Sequence, residues 1–138
     1  MKYLALLVAL LISACTTVIP YEPDAHMTRE EARLTLRQAF EEQPEKFRPI
    51  VVEIGDDAIR LGSSTVKSNA WTGDLTTVEK RETYYFSNLA ALQFVQKRTY
   101  WAVKLSIRDA NVRRWVYFYS EKQATDFLDA MSRMAQPD

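Results

Sequence analysis

Two segments of the chain place apolar residues at the spacing of an α-helix. The first, residues 28–42, has four of them on one face: Ala32, Leu36, Ala39 and Phe40. Thr28 followed by Glu31 fits a capping box, which predicts a helix that begins at Arg29. Gln43 and Pro44 should end it, because proline does not continue a helix.

The second helical pattern lies at the end of the chain. Its apolar stripe consists of Ala124, Phe127, Leu128, Met131 and Met134. Ser120 and Gln123 have the spacing of another capping box, which sets the expected start of this helix. An apolar stripe needs an apolar surface to pack on, so this helix should close a β-structure.

The stretch between the helices has the short period of β-strands. Residues 50–54 and 58–61 are β-prone runs around Gly55, Asp56 and Asp57, a turn cluster typical of a hairpin. Residues 63–80 are rich in Ser, Thr and Asn, and we interpret them as mostly loop.

Four more strand-like runs follow residue 82, at 83–89, 92–96, 100–107 and 113–119. The third of them alternates most clearly, because Trp101, Val103, Leu105 and Ile107 share one face while Tyr100, Ala102, Lys104 and Ser106 share the other. Such alternation is typical of a half-buried antiparallel strand. The fold class predicted is therefore α+β, an antiparallel sheet or roll with an N-terminal helix and a closing C-terminal helix.

The beginning of the chain has a different pattern. Lys2 precedes an uninterrupted run of mainly Leu, Val and Ala, and a small residue, Ala14, stands before Cys15. These three parts are typical of a secretory signal, and the run is shorter than the roughly 20 residues that span a bilayer. A buried cysteine in an N-terminal helix is the alternative, but it does not explain an apolar run without any polar face.

Residues 12–15, Ile-Ser-Ala-Cys, resemble the lipobox of bacterial lipoproteins. The resemblance implies cleavage between Ala14 and Cys15, a diacylglycerol on the Cys15 thiol, and a fatty acid such as palmitate on the new amino terminus. Residues 1–14 would then be the signal peptide. Two or more acyl chains make anchoring stable where one is marginal, so Cys15 would be a membrane anchor and not a nucleophile.

The residues after the anchor bear on location and on the tether. Lipoproteins kept on the inner membrane often have Asp after the cysteine, whereas this chain has Thr16. In a Gram-negative cell the resemblance therefore implies the outer membrane, facing the periplasm. Residues 15–27 contain two prolines and no regular period, so we expect a lipidated tether without fixed structure, followed by a domain over residues 28–136.

Residues 48–136 resemble a bacterial pleckstrin-homology (PH)-like domain. The likeness is carried by "YYFSNLAALQF" and by "WVYFYSEKQATDFLDAM", an aromatic strand that leads into an apolar helix. A small unrelated α+β roll would give a similar pattern. The phosphoinositide-binding function of such domains does not carry over, because the first hairpin has Glu53, Asp56 and Asp57 against Arg60 alone.

Composition narrows the function classes. The 138 residues form one domain, and 18 basic against 18 acidic side chains give no sign of nucleic-acid binding. With one cysteine, the chain forms no internal disulfide and no cysteine metal cluster. Stability must come from packing.

Few residues have the pattern that catalysis requires. The one histidine, His26, lies in the expected tether, which fixes no geometry, and none of the common enzyme motifs is present. Carboxylate pairs at 30–31, 41–42 and 56–57 fit solvated helix faces and a turn. We therefore predict no catalytic residue, no cofactor and no metal, including no Ca²⁺ at Asp56 and Asp57.

The best candidate for binding is the strand at residues 113–119. If Val116 and Phe118 point into the core, the opposite face consists of Arg113, Trp115, Tyr117 and Tyr119. Arginine and aromatic residues favour protein interfaces, although the first helix could also cover this face. Basic pairs at 97–98 and 113–114 could form a patch for an anionic lipid or polymer, or a solvated face.

Two functions follow from these observations. The first is a non-enzymatic, membrane-anchored envelope lipoprotein whose partner is an envelope protein, with a role in binding or assembly. The alternative is a binding module for a lipid or another small hydrophobic or anionic ligand. An envelope hydrolase would need a convergent polar pocket that the sequence does not reveal.

Overall fold

The computed structural model describes residues 16–24, 26–108 and 113–137. Within these residues the strands are β1 (Thr17–Val18), β2 (Val51–Ile54), β3 (Ala58–Ser68), β4 (Leu75–Tyr85), β5 (Gln93–Gln96), β6 (Trp101–Ser106) and β7 (Arg113–Phe118). The α-helices described are α1 (Arg29–Glu41) and α2 (Glu121–Ala135), and short 3₁₀ turns lie at Glu45–Phe47 and Phe86–Asn88.

The strands form two antiparallel sheets. One has the order β2-β3-β4 and the other the order β1-β5-β6-β7. The predicted first hairpin is present, with Ile54 opposite Ile59 around the turn at Gly55, Asp56 and Asp57. The α+β prediction, with antiparallel strands and a helix at either end, is confirmed, and the two-sheet arrangement is consistent with a PH-like sandwich.

Both helices begin where the sequence predicts. The Thr28 hydroxyl accepts from the Glu31 N–H (3.2 Å) and the Glu31 carboxylate accepts from the Thr28 N–H (2.7 Å), which completes the capping box of α1. At α2 only half of the predicted box forms. Ser120 accepts from the Gln123 N–H, but the Gln123 side chain accepts from the N–H of Tyr119.

The core lies between the helices and the two sheets. Phe40 of α1 and Phe127 of α2 meet edge to face at 5.9 Å, and Phe118 of β7 lies 5.3 Å from Phe127. The predicted inward face of β6 is confirmed, since Val103 and Leu105 are fully buried and Trp101 packs against the core. The apolar stripe of α2 is buried as predicted.

The expectation that residues 16–27 have no fixed structure is wrong for the described part of that segment. Thr17 and Val18 pair with Gln96 and Val95, so β1 is an edge strand. Farther on, the Tyr21 hydroxyl donates to Asp129 of α2 (2.8 Å). Without β1, the strand β5 would be at the edge of its sheet with unpaired backbone groups, and β1 hydrogen-bonds to these groups. The composition of residues 16–27 alone did not indicate this pairing.

The interpretation of residues 63–80 as mostly loop is also wrong. β3 and β4 pair continuously from Ala58 opposite Tyr85 to Ser68 opposite Leu75. Every residue from 64 to 81 is exposed, so this part of the hairpin projects from the body; we call it the projecting arm. With both faces in solvent, its sequence needs no apolar alternation, which explains why the pattern did not predict strands.

Candidate binding surfaces

The face of β7 predicted as an interface has the expected register. Ala102 of β6 lies opposite Tyr117, and Lys104 lies opposite Trp115. Val116 and Phe118 are buried on the core side, so Arg113, Trp115 and Tyr117 lie on the opposite face. Trp115 and Tyr117 are partly buried there, and Arg113 is exposed.

This face is covered in part by aromatic rings from two other segments. Phe47, in the first 3₁₀ turn, lies 4.8 Å from the Tyr117 ring, and Tyr100 meets Tyr117 edge to face at 5.5 Å. The buried Gln43 fixes this turn against β7. Its side-chain amide donates to the Tyr117 carbonyl and accepts from the Tyr117 N–H, both at 2.9 Å.

Two lysines lie over the indole ring of Trp115. The ammonium groups of Lys97 and Lys104 are 5.7 Å and 5.9 Å from its centroid, within the range of cation–π attraction. Lys97 is also 5.7 Å from the ring of Tyr100. We call this surface the aromatic–basic face; its residues are Lys97, Tyr100, Lys104, Arg113, Trp115 and Tyr117.

The predicted basic pair at 113–114 is split between the two sides of the sheet. Arg114 points the other way and donates to the buried carboxylate of Glu82 (2.8 Å), which also contacts Lys80 (2.6 Å). Burial alone would raise the pKa of Glu82, but the hydrogen bonds from Lys80 and Arg114 outweigh it and hold the pKa below the usual 4.5. Arg114 is therefore a structural residue.

Burial also raises the pKa of Tyr84, whose hydroxyl donates to the same Glu82 carboxylate at 3.1 Å. The charge of Glu82 acts in the same direction, because it disfavours a second anion beside it. Tyr84 therefore stays a neutral donor. Together these residues connect the base of the projecting arm to β7.

A groove adjoins the aromatic–basic face. It lies between β7, residues 45–50 and residues 63–65 of β3, and its volume is about 540 Å³. Trp115 belongs to both the groove and the face. The charged residues of the lining are the basic Lys46, Arg48, Arg113 and Arg114 and the acidic Glu45 and Glu82. The size falls in the range of small-ligand sites.

Tyr119 does not belong to this cluster. It follows the last residue of β7, its side chain is 68% exposed, and it lines a separate depression with Gln123 near the start of α2. Of the four predicted residues, Arg113, Trp115 and Tyr117 share one face, and whether that face is an interface stays a prediction. The rings of Phe47 and Tyr100 and the two lysines also contact this face, and the sequence pattern did not indicate them.

The projecting arm presents a second exposed surface. Trp71 at its tip is 97% exposed, and Val66 and Leu75 are 62% and 74% exposed. Val66 and Leu75 are diagonal neighbours on one face of the hairpin, because Val66 is opposite Thr77 and Leu75 is opposite Ser68. The arm thus carries an apolar strip with a tryptophan at its end.

Hydrogen bonds fix the turn that presents Trp71. The Asn69 side-chain oxygen accepts from the Trp71 N–H (2.9 Å), and the Asn69 carbonyl accepts from the Gly73 N–H (2.8 Å). Gly73 has φ of 72°, a conformation that glycine adopts without strain. The signal for this hairpin was present in the sequence, because the turn segment "NAWTGD" lies between runs that contain Ser, Thr and Val.

The other residues singled out from the sequence lie at the surface. His26 is exposed and 3.1 Å from Asp24. Asp56 pairs with Arg33 of α1, and Asp57 lies 3.3 Å from Arg60. Within residues 16–24, 26–108 and 113–137, no group of three or more His, Cys, Asp or Glu side chains could hold a metal ion.

The proposed lipidation site falls outside the described residues. The structure does not describe residues 1–15, which include Ala14 and Cys15. The lipobox and the cleavage site therefore stay predictions. Among the helices that the structure does describe, none is long and apolar enough to cross a membrane.

Comparison of the chain with protein-family models, with curated proteins and with solved structures gave no match. The resemblance to a PH-like domain therefore stays a prediction from the sequence.

Proposed function

We propose that the chain is a non-enzymatic, lipid-anchored protein of the cell envelope that binds another envelope protein through its projecting arm. The observation that carries the proposal is the exposed apolar strip of the arm, formed by Val66, Trp71 and Leu75. Burying a tryptophan removes 150–250 Å² of surface from water, and tryptophan is enriched at the centres of protein interfaces.

The shape of the arm supports this role. A two-stranded ribbon with both faces in solvent gains little stability from its own packing. The eleven-residue strands are nevertheless continued well beyond the core, and the Asn69 and Gly73 interactions give the tip a defined backbone. An element built in this way is suited to reaching into a second protein.

The arm can be tested by crosslinking in cells. A photoreactive amino acid at position 71 or 66 of the full chain should give one discrete adduct with an envelope protein. The same group at position 67, on the opposite face of the arm, is the matched control. Trp71→Ala should weaken formation of the position-66 adduct about tenfold or more, since hot-spot residues contribute about 2 kcal/mol or more. Equal labelling from positions 66, 67 and 71 would contradict the proposal.

The anchor is tested separately. The Cys15→Ala protein should be absent from the membrane fraction. Its circular dichroism spectrum should equal that of the parent, because the fold is unchanged. Metabolic labelling with a palmitate analogue should be lost in the same variant. A Cys15→Ala protein that still carries label and still floats with membranes would refute the anchor.

A second candidate function is favoured by one observation. The cations of Lys97 and Lys104 lie against aromatic rings and beside a groove of about 540 Å³, an arrangement that suits an anionic lipid headgroup. This is the alternative of a lipid-binding module, and its groove reaches only the base of the arm, at residues 63–65, and not the apolar strip.

A further inference from the structure

We infer that the aromatic–basic face lies on the anionic surface of the membrane that holds the anchor. In this orientation the ammonium groups of Lys97 and Lys104 contact phospholipid phosphates, and the rings of Tyr100 and Trp115 lie at headgroup depth. The inference rests on the proposed lipid anchor at Cys15, and it adds an orientation for the domain relative to the membrane.

The first step is the length of chain between anchor and fold. Cys15 precedes Thr17 by two residues, and two residues span at most about 7 Å. Thr17 lies opposite Gln96, the last residue of β5. An acylated Cys15 would therefore place the bilayer surface beside the turn at residues 97–100, which begins the aromatic–basic face.

The second step is the docking of this segment. The Ile19 N–H donates to the Phe94 carbonyl (2.9 Å), and the Tyr21 ring packs edge to face on Phe94 at 6.1 Å. Asp129 accepts from the Tyr21 hydroxyl and from the Asp24 N–H (2.7 Å). These contacts remove the freedom of a long tether, so the domain cannot swing far from the membrane.

The third step is charge complementarity. None of the ion pairs formed among the described residues involves Lys97, Lys104 or Arg113. Lysine stems cover apolar surface while their ammonium groups reach outward, and tryptophan and tyrosine are enriched at membrane interfaces. The face thus combines the residue types that bind an anionic bilayer surface.

Weak attraction is sufficient in this setting. Each lysine near an anionic surface favours binding about fivefold. Because the anchor already holds the domain at the membrane surface, docking of the face is effectively intramolecular. Its equilibrium therefore does not include the entropy cost of bringing a free protein to the membrane. Two lysines and Arg113 then shift the equilibrium strongly toward the docked orientation.

The test uses the lipidated protein reconstituted into vesicles. With the Cys15 sulfur carrying lipid, an introduced cysteine is the only free thiol, because the chain has no other cysteine. Thr99→Cys reports on the turn beside the face and Thr72→Cys on the arm tip, each labelled with an environment-sensitive fluorophore. Vesicles contain either phosphatidylcholine alone or phosphatidylcholine with 30% phosphatidylglycerol.

We expect the emission at position 99 to be more blue-shifted and brighter in the anionic vesicles than in those of phosphatidylcholine alone, and the emission at position 72 to be the same in both. High salt should reverse the change, since the interaction is electrostatic. Lys97→Gln combined with Lys104→Gln should lower the ratio of docked to undocked protein about 25-fold. The matched control, Lys67→Gln combined with Lys122→Gln, removes the same charge elsewhere and should behave as the parent.

Flotation of the vesicles separates the two proposals. Protein that fails to float with either kind of vesicle refutes the anchor. Protein that floats but gives the same emission at position 99 in both refutes the orientation, while the anchor stands. The orientation is equally refuted if the position-99 signal changes only after an envelope protein is added, because the face would then be a protein interface.

Discussion

Two polar side chains, Gln43 and Glu82, are buried within the described part of the chain, and each joins segments distant in sequence. β7 is an edge strand, and Gln43 hydrogen-bonds to the Tyr117 backbone groups that no neighbouring strand satisfies, so it covers the open edge of the sheet at that residue. Glu82 forms ion pairs with both Arg114 and Lys80 at the base of the projecting arm. A buried polar group without partners is costly, so both positions tolerate substitution poorly.

Glu82→Gln should lower the free energy of unfolding by about 3 kcal/mol at pH 7, because it leaves the partly buried Arg114 without its counter-charge. The pKa of Glu82 is lowered in the folded state, so its contribution is full above the unfolded value of 4.5 and is lost as the pH falls through the folded value. Urea unfolding should therefore show the two proteins converging below about pH 4.5.

Glu79→Gln is the control for this prediction. Glu79 lies on the same strand but in the exposed part of the arm. Glu79→Gln should therefore change the free energy of unfolding by no more than about 0.5 kcal/mol. A loss for Glu82→Gln that is equally large at pH 3 and pH 7 would show that the charge of Glu82 is not what stabilises the fold.

At the scale of elements, success and failure of the sequence predictions have the same physical cause. The strands that pack on one side, such as β6, alternate clearly and were predicted, whereas the arm has no buried side and was missed. β1 was missed because two residues carry no period, and its pairing depends on the free edge of β5.

The candidate site was predictable only where it follows one strand. Register placed Arg113, Trp115 and Tyr117 together, since alternate residues of a strand share a face. Phe47 and Lys97 join them from a 3₁₀ turn and a strand-connecting turn, whose positions depend on tertiary packing. No local pattern in the sequence carries that information.

The hydroxyl of Tyr21 holds β1 and the following segment on the domain. Burial, followed by the hydrogen bond to Asp129, raises the pKa of Tyr21 to about 12, so the hydroxyl remains a donor at neutral pH. Tyr21→Phe removes this bond, which contributes about 1 kcal/mol. We expect amide hydrogen exchange in residues 17–24 to become about fivefold faster.

Tyr85→Phe is the matched control, because Tyr85 is a half-exposed tyrosine of β4 outside this contact. The amide hydrogen-exchange rates of residues 17–24 in the Tyr85→Phe protein should equal those of the parent protein. If Tyr21→Phe also leaves those rates unchanged, the hydrogen bond to Asp129 does not hold the segment.

At the scale of the whole molecule, the proposed anchor at Cys15 and the fold together determine which side of the domain would face the membrane. Within the described residues, the turn at 97–100 lies at the same end of its sheet as β1. The base of the arm adjoins the aromatic–basic face, since residues 63–65 and Arg113 line one groove, and the arm tip at Trp71 lies exposed beyond it. The two proposals therefore assign the aromatic–basic face to the membrane and the tip of the arm to a protein partner.

The destination of the lipoprotein is tested at Thr16. If the chain is sorted as the resemblance to Gram-negative lipoproteins implies, Thr16→Asp should retain it on the inner membrane, whereas the parent reaches the outer membrane. Density-gradient separation of the two membranes measures this directly. Thr16→Ser is the control and should leave the distribution unchanged; an outer-membrane location for both variants would contradict the sorting prediction.

The position of β1 also has a consequence for the order of events during maturation. An enzyme that processes or acylates Cys15 needs the neighbouring residues in an accessible, extended form, yet Thr17 and Val18 are hydrogen-bonded to β5 in the finished fold. If Cys15 is acylated as proposed, acylation precedes the pairing of β1 with β5. Among the strands that the structure describes, the last one to join its sheet would then be the first one synthesised.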